Sequence, residues 1–250
     1  MTLISKRRTL SRVKMLDLLK GLADSDSNDA LTLYLPPGLP AAELDNALNG
    51  LAATPDILTR LAELAGSSGT GSVVFWSPAV KYLVVPPFPV SEKHVTQSFH
   101  PERLQSLIER DYLIALVLVR LGSYAIGVCR GERLVNSKVG TGLVHGRHKK
   151  GGSSAHRFER HRDKQIEYFL TRVCQRAREQ LEIHLKSLDY IVYGGARTTL
   201  QLLRKQCPFI DKLDTPALPS LFDIPEPRRA VLETAVSRVW SSTVYEWLED

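Results

Sequence analysis

The chain has 250 residues, 43% apolar and 24% charged, enough for a packed core, which excludes wholesale disorder and allows one large domain or two small ones. Its net charge of +6 is uneven: residues 1–20 hold six Lys/Arg against one Asp, and residues 145–164 hold seven Lys/Arg against two Asp/Glu, so the rest of the chain is net acidic. Two local basic stretches point to a specific anionic partner and away from general stickiness.

In chain order, residues 9–22 place Leu10, Val13, Leu16, Leu19 and Leu22 near helical spacing and read as a short amphipathic helix. Its lysines and arginines could touch RNA or a membrane surface, or simply form the wet face of a helix docked on a core. LTLYL is a strand closed by Pro36-Pro37-Gly38. Helices follow at about 40–52 and 55–65, separated by Thr54-Pro55 as N-cap and first-turn proline. SVVFWS and VKYLVV form a hairpin around Ser77-Pro78-Ala79. The proline-rich, aperiodic run from Pro86 to Pro101 marks a domain boundary, giving an N-terminal α/β region over 1–100 and a second domain over 101–250.

The second domain begins with the helix PERLQSLIER and continues as three strands, 112–120, 123–131 and 132–140, joined by short turns that favour an antiparallel meander. The first of these is apolar at nearly every position, so it is central and covered on both faces. After a basic loop at 141–156, a long helix keeps Ile166, Phe169, Leu170, Val173, Cys174, Ala177, Leu181 and Leu185 on one stripe. Before Ile166 only Phe158 fits that stripe, so the first two turns should project beyond the core. DYIVYGG is a further buried strand, followed by a helix from Thr198, a short strand near Ile210–Leu213 and a last helix over about 226–248. The order β-β-β-α-β-α defines an RNase H-like α/β fold with a mixed sheet.

The cysteines, Cys129, Cys174 and Cys207, are odd in number, widely spaced and without CxxC, which argues against a disulfide framework or structural zinc and fits a reducing compartment. No run approaches the ~20 apolar residues of a membrane-spanning helix, and the basic N-terminus lacks the apolar segment of a signal peptide. The expectation is a cytoplasmic chain with no membrane partner and an open oligomeric state.

The stretch HGRHKKGGSSAHRFERHRDKQ, His145 to Gln165, carries the functional signal. Gly151 and Gly152 sit amid Arg147, His148, Lys149 and Lys150 before, and Arg157, Arg160, Arg162 and Lys164 after. A cationic loop with a Gly-Gly apex feeding a helix lets backbone N–H groups approach a polyanion closely. Charge runs are more commonly solvated linkers, but here strand and helix patterns resume on both sides. Other chemistries fit poorly. The first strand has no acid between Tyr112 and Arg120 for a two-metal nuclease, and Asp111 and Asp189 lie at strand edges. His145, His148, His156 and His161 lack a third ligand at zinc spacing. No Gly-Lys-Ser/Thr follows the glycines, and Ser153 and Ser154 have no local base with an orienting acid. No metal and no cofactor is expected.

These residues resemble the middle domain of the eukaryotic and archaeal class I peptide-chain release factors. They resemble still more closely that family's bacterial Vms-like release-factor relatives, which are peptidyl-tRNA hydrolases. Gly151, Gly152, Ser154, Ala155, Arg157, Phe158, Arg160 and Arg162 match the family's basic Gly-Gly-Gln loop and helix start. LDYIVYGGA is similar to the strand after its long helix, and the likeness extends loosely over about 101–250. Residues 1–100 do not resemble the decoding domain. The resemblance implies hydrolysis of the ester between nascent chain and tRNA in ribosome rescue or quality control. Its partners would be the rRNA of the large ribosomal subunit and peptidyl-tRNA. Gly151, Gly152 and Ser153 would form the catalytic tip, and Arg147, His148, Lys149, Lys150, Arg157, Arg160, Arg162 and Lys164 would grip RNA. One position departs: Ser153 stands where the family has glutamine, and the first glutamine, Gln165, lies twelve residues on, or ~18 Å along a helix. That leaves open a factor that binds the ribosome or tRNA without cleaving.

Overall fold

A computed structural model describes residues 4–25, 29–146 and 155–248. In chain order the elements are β1 (Ile4–Leu10), α1 (Arg12–Ala23), β2 (Leu31–Leu35), α2 (Ala41–Leu48), α3 (Pro55–Gly66), β3 (Ser72–Trp76), β4 (Lys81–Val85), β5 (His94–Thr96), α4 (Glu102–Glu109), β6 (Leu113–Arg120), β7 (Ser123–Arg130), β8 (Arg133–Thr141), α5 (Ala155–Leu181), β9 (Tyr190–Gly194), α6 (Arg197–Gln206), α7 (Pro208–Asp211), α8 (Arg229–Val239) and β10 (Ser242–Leu248). The chain divides into two compact units, Met1–Arg110 with Arg238–Asp250, and Asp111–Ser237. Thus α4 and β10, which lie C-terminal to the boundary expected near residue 100, belong to the first unit. Among the described residues no helix is long and apolar enough to cross a membrane.

The first unit is built on a sheet in the order β1-β10-β4-β3-β2-β5, antiparallel throughout. One face carries Leu33, Leu35, Val74, Leu83 and Trp247 into a core with Leu44, Leu48, Ile57 and Leu61 of α2 and α3. The other carries Tyr34, Val73, Phe75, Val84 and Val244 against Met15, Leu19 and Leu22 of α1 and Leu104 and Ile108 of α4. The β3–β4 hairpin closes where expected, with the Ser77 hydroxyl accepting the Val80 N–H at 3.0 Å.

Several expectations are corrected here. The helix expected over 9–22 begins only at Arg12, because residues 4–10 pair along their whole length with β10. The helix expected to run to residue 248 stops at Val239. Ser242-Thr243-Val244-Tyr245 then alternates buried and half-buried positions with period two, and β10 threads between β1 and β4. A short strand, β5, also lies within the stretch read as an aperiodic boundary.

The second unit is a mixed sheet in the order β8-β7-β6-β9, with β6 antiparallel to β7 and parallel to β9. β6 is central and buried at seven of its eight positions, as its unbroken apolar run requires. Burying each such Val or Leu stabilises the unit by roughly 1.5–3 kcal/mol. At the start of the parallel pair, Asp189 accepts the Leu113 N–H at 2.9 Å and donates its own N–H to the Leu113 carbonyl at 2.9 Å, so this acid is a strand staple. At the other end Gly195, at φ 128°, turns the chain where a Cβ would collide with the Val119 carbonyl.

The strand expected near Ile210–Leu213 is instead a helical turn, α7, with proline at its start. A parallel continuation of the sheet comes a few residues later. Leu218 N–H donates to the Ile191 carbonyl and Leu221 N–H to the Tyr193 carbonyl, at 2.9 and 2.8 Å. Three antiparallel strands, a helix, a parallel fourth strand and a short parallel fifth segment make this an RNase H-like α/β domain. Its core places Ile166, Phe169, Leu170, Val173, Ala177 and Leu181 of α5 against Ala115, Val117, Tyr124, Ile126 and Val128 of the sheet. The cysteine expectation is overturned in part. Cys174 and Cys207 are joined as a disulfide with 5.3 Å between their Cα atoms, because the α5 stripe and the start of α7 bring them together, while Cys129 is free and buried.

Candidate nucleic-acid interface

The basic loop leaves the sheet from β8, an edge strand, and returns as α5. Gly151, Gly152 and Ser153, and with them Arg147, His148, Lys149 and Lys150, lie outside the described residues. The two sides from which they spring are described, and they are ordered by different forces.

On the helix side, α5 runs 27 residues, about 40 Å. Its buried stripe begins only at Ile166, and from His156 to Gln165 no residue is buried. Arg157, Arg160 and Lys164 are exposed, as the break in the apolar period predicts, and Phe158 is 53% exposed. About three helical turns, or ~15 Å, therefore carry cations clear of the core. Arg160 Nε donates to the His156 carbonyl at 3.3 Å, and His156 Nδ1 lies 4.0 Å from Glu159. Arg162 differs from the other cations on these turns. It is half-buried, and its Nε donates to the carbonyl of His145 at 2.9 Å.

On the strand side, the last backbone bond of the meander is Gly142 N–H to the Gly122 carbonyl at 2.8 Å. A Cβ on Gly142 would come 2.7 Å from the Phe169 ring and 2.9 Å from Arg172 Nη2, so glycine permits the chain to pass close under α5. Arg172 donates to the Thr141 carbonyl, and Val144 is partly buried against the core. About two turns of α5 further toward its N-terminus, the His145 N–H donates to Gln165 Oε1 at 3.1 Å. The stem thus runs antiparallel to α5, tied at the levels of Arg172, Gln165 and Arg162. The rings of His145 and His161 lie 6.4 Å apart across it.

Sequence reasoning dismissed Gln165 as too distant to act at the tip, and missed its role in the stem. The available signal was its i, i+3 spacing from Arg162, which sets both on one helix face. Asn136 was missed as well. Its Oδ1 accepts the Val128 N–H at 3.1 Å beside a register shift in the β7–β8 pair, and its amide donates to the Gln180 carbonyl at 3.1 Å, fastening the edge strand to α5. Among the described residues no cluster of three or more His, Cys, Asp or Glu side chains is placed to hold a metal.

An RNase H-like unit whose long helix begins with a basic run free of buried residues fits what the release-factor resemblance implies. The comparisons with known proteins carry this to a family: the chain belongs to the Actinobacteria/chloroflexi VLRF1 release factors, whose profile matches residues 112–245. Peptide chain release factor subunit 1 of Archaeoglobus fulgidus is 26% identical over 198 residues, 68% of this chain and 49% of that protein. The same factor of Methanosarcina mazei is 27% identical over 213 residues, 72% of this chain and 51% of that protein. The chain spans about half the length of the curated relatives it matches. The crystal structure of an archaeal translation termination factor aligns at 16% identity over 92% of this chain and 73% of that one, with a TM-score of 0.34.

Proposed function

We propose that this chain is a release-factor-like peptidyl-tRNA hydrolase acting at the large ribosomal subunit in rescue or quality control. The observation that carries the reading is the helix start. Arg157, Arg160 and Lys164 stand on turns with no buried residue, directly after the Gly-Gly loop, in a chain of a release-factor family. Cations so placed bind phosphates of RNA without reading sequence. In this reading Gly151, Gly152 and Ser153 meet the ester linking peptide to tRNA. Water adds to the carbonyl carbon, tip N–H groups hold the developing oxyanion, the carbon–oxygen bond to the tRNA ribose breaks, and peptide acid and tRNA hydroxyl separate. In this reading the unit Asp111–Ser237 is the release-factor-like part, and Met1–Arg110 with Arg238–Asp250 is a separate α/β unit.

A second reading is favoured by one residue: Ser153 occupies the place of the family glutamine, and Gln165, the next one along, is engaged with His145. On that basis the chain would occupy the same site on the ribosome or tRNA without cleaving. Release of a labelled peptide from tRNA on stalled large subunits separates the two. The hydrolase reading expects Gly151→Ala and Gly152→Ala each to lower release by about 100-fold or more. No release above background, with the glycine variants unchanged, sinks it. Activity created by Ser153→Gln in a protein that otherwise has none establishes the non-cleaving factor.

A further inference from the structure

The stem of the loop holds a feature that RNA binding alone does not require. Beyond Gly142 the strand has left the ladder, yet both polar groups of one peptide residue, His145, are satisfied from the same helix face. Its N–H donates to Gln165 Oε1 at 3.1 Å and its carbonyl accepts Arg162 Nε at 2.9 Å. Two side chains three residues apart on α5 thereby replace the neighbouring strand that a paired residue would have. Below this point Val144 is partly buried and Arg172 holds the Thr141 carbonyl. Above it only Gly146 precedes the undescribed residues. His145 is thus the last point at which the structure records the strand-side stem being fixed. It is fixed to the helix that forms the other side.

The geometry points to Arg162 and Gln165 as positioning residues, a backbone clasp on His145 that sets how the stem delivers Gly151, Gly152 and Ser153. This rests on the reading that those three residues form the working tip. It also changes the role of Arg162, whose Nε serves the protein's own backbone. Neither residue touches the reacting atoms; each acts through the angle and rigidity of the stem. A neutral acceptor suffices at 165, and a carboxylate would serve as well. At 162 the donor must be the planar guanidinium, because a lysine ammonium has no Nε–H on a rigid plane.

The test uses the full chain and two readouts, exchange of the His145 amide hydrogen and release of labelled peptide on stalled large subunits. Gln165→Ala should speed His145 exchange roughly ten-fold. It should also lower kcat for release roughly ten-fold while KM stays within about two-fold. Gln165→Glu should restore both. Arg162→Lys should lower kcat as Gln165→Ala does, whereas a phosphate-gripping role for Arg162 predicts that Lys keeps it. Exchange at His145 that is equally fast in the natural protein and in Gln165→Ala overturns the clasp. So does a change in exchange with no change in kcat. If the natural protein releases no peptide, the hydrolase reading falls, and dissociation from large subunits becomes the second readout. Faster loss of Gln165→Ala then supports the clasp, and an unchanged rate overturns it.

Discussion

Residues 1–20 and 145–164 carry the same excess of positive charge, and the fold treats them differently. In the first stretch the cations are interspersed with Met15 and Leu19, which are buried, and the stripe continues to Leu22, so α1 lies flat on a core. Two of its arginines are turned to structural use. Arg8 pairs with Glu246 at 3.1 Å, and Arg12 donates to the carbonyls of Ile108 and Glu109 at 3.0 and 2.7 Å with its guanidinium 4.4 Å from the Trp240 ring centre. In the second stretch no residue from His156 to Gln165 is buried, and Arg157, Arg160 and Lys164 stand in solvent ahead of the core. A run of charge becomes a probe only where the apolar stripe is interrupted for several turns; where the stripe continues, the same charge fringes a packed surface.

That contrast can be broken most severely by charge reversal. Arg157→Glu, Arg160→Glu and Lys164→Glu together should weaken binding to large subunits by about 100-fold or more and flatten the dependence on salt by about three units of log–log slope. The matching reversal of Lys6, Arg7 and Lys14 should change affinity by less than about three-fold. Titrations across a range of potassium chloride concentrations measure both, and equal losses from the two triples would erase the distinction.

A smaller effect tests the structural half. Arg12→Ala removes two hydrogen bonds and a cation–aromatic contact, and should destabilise the protein by about 2 kcal/mol. Lys6→Ala, at an exposed position of the same stretch, should cost under about 0.5 kcal/mol. Denaturant unfolding decides between them, and equal costs would mean that Arg12 is no more structural than its neighbours.

The smallest effect is one of pH. Tyr34 lies in the core that receives α1, where its hydroxyl donates to the His100 carbonyl at 2.7 Å and accepts the Leu104 N–H at 3.1 Å. Burial pushes its phenol well above the ordinary tyrosine value. Folding therefore favours the protonated form. The stability it contributes is complete below the unfolded pKa of about 10 and is lost as pH rises beyond it. Melting temperatures should fall above pH ~10 in the natural protein and less steeply in Tyr34→Phe. Parallel curves would remove Tyr34 from the account.

The sequence by itself determined what local period and composition can carry. The meander, the central β6, the buried β9 and the point on α5 where burial begins all follow from side-chain pattern over a few residues, as does the basic loop with its family likeness. Tertiary structure decided whatever needs a partner far along the chain. Ser242–Leu248 reads as the end of a helix until β1 and β4 offer edges on both sides. Cys174 and Cys207, 33 residues apart, meet only because two helices do. Gln165 looks like a surface residue until His145 is laid beside it. A short apolar stretch can satisfy its backbone either internally, as a helix, or externally, as a strand, and the choice falls to the neighbours that packing supplies.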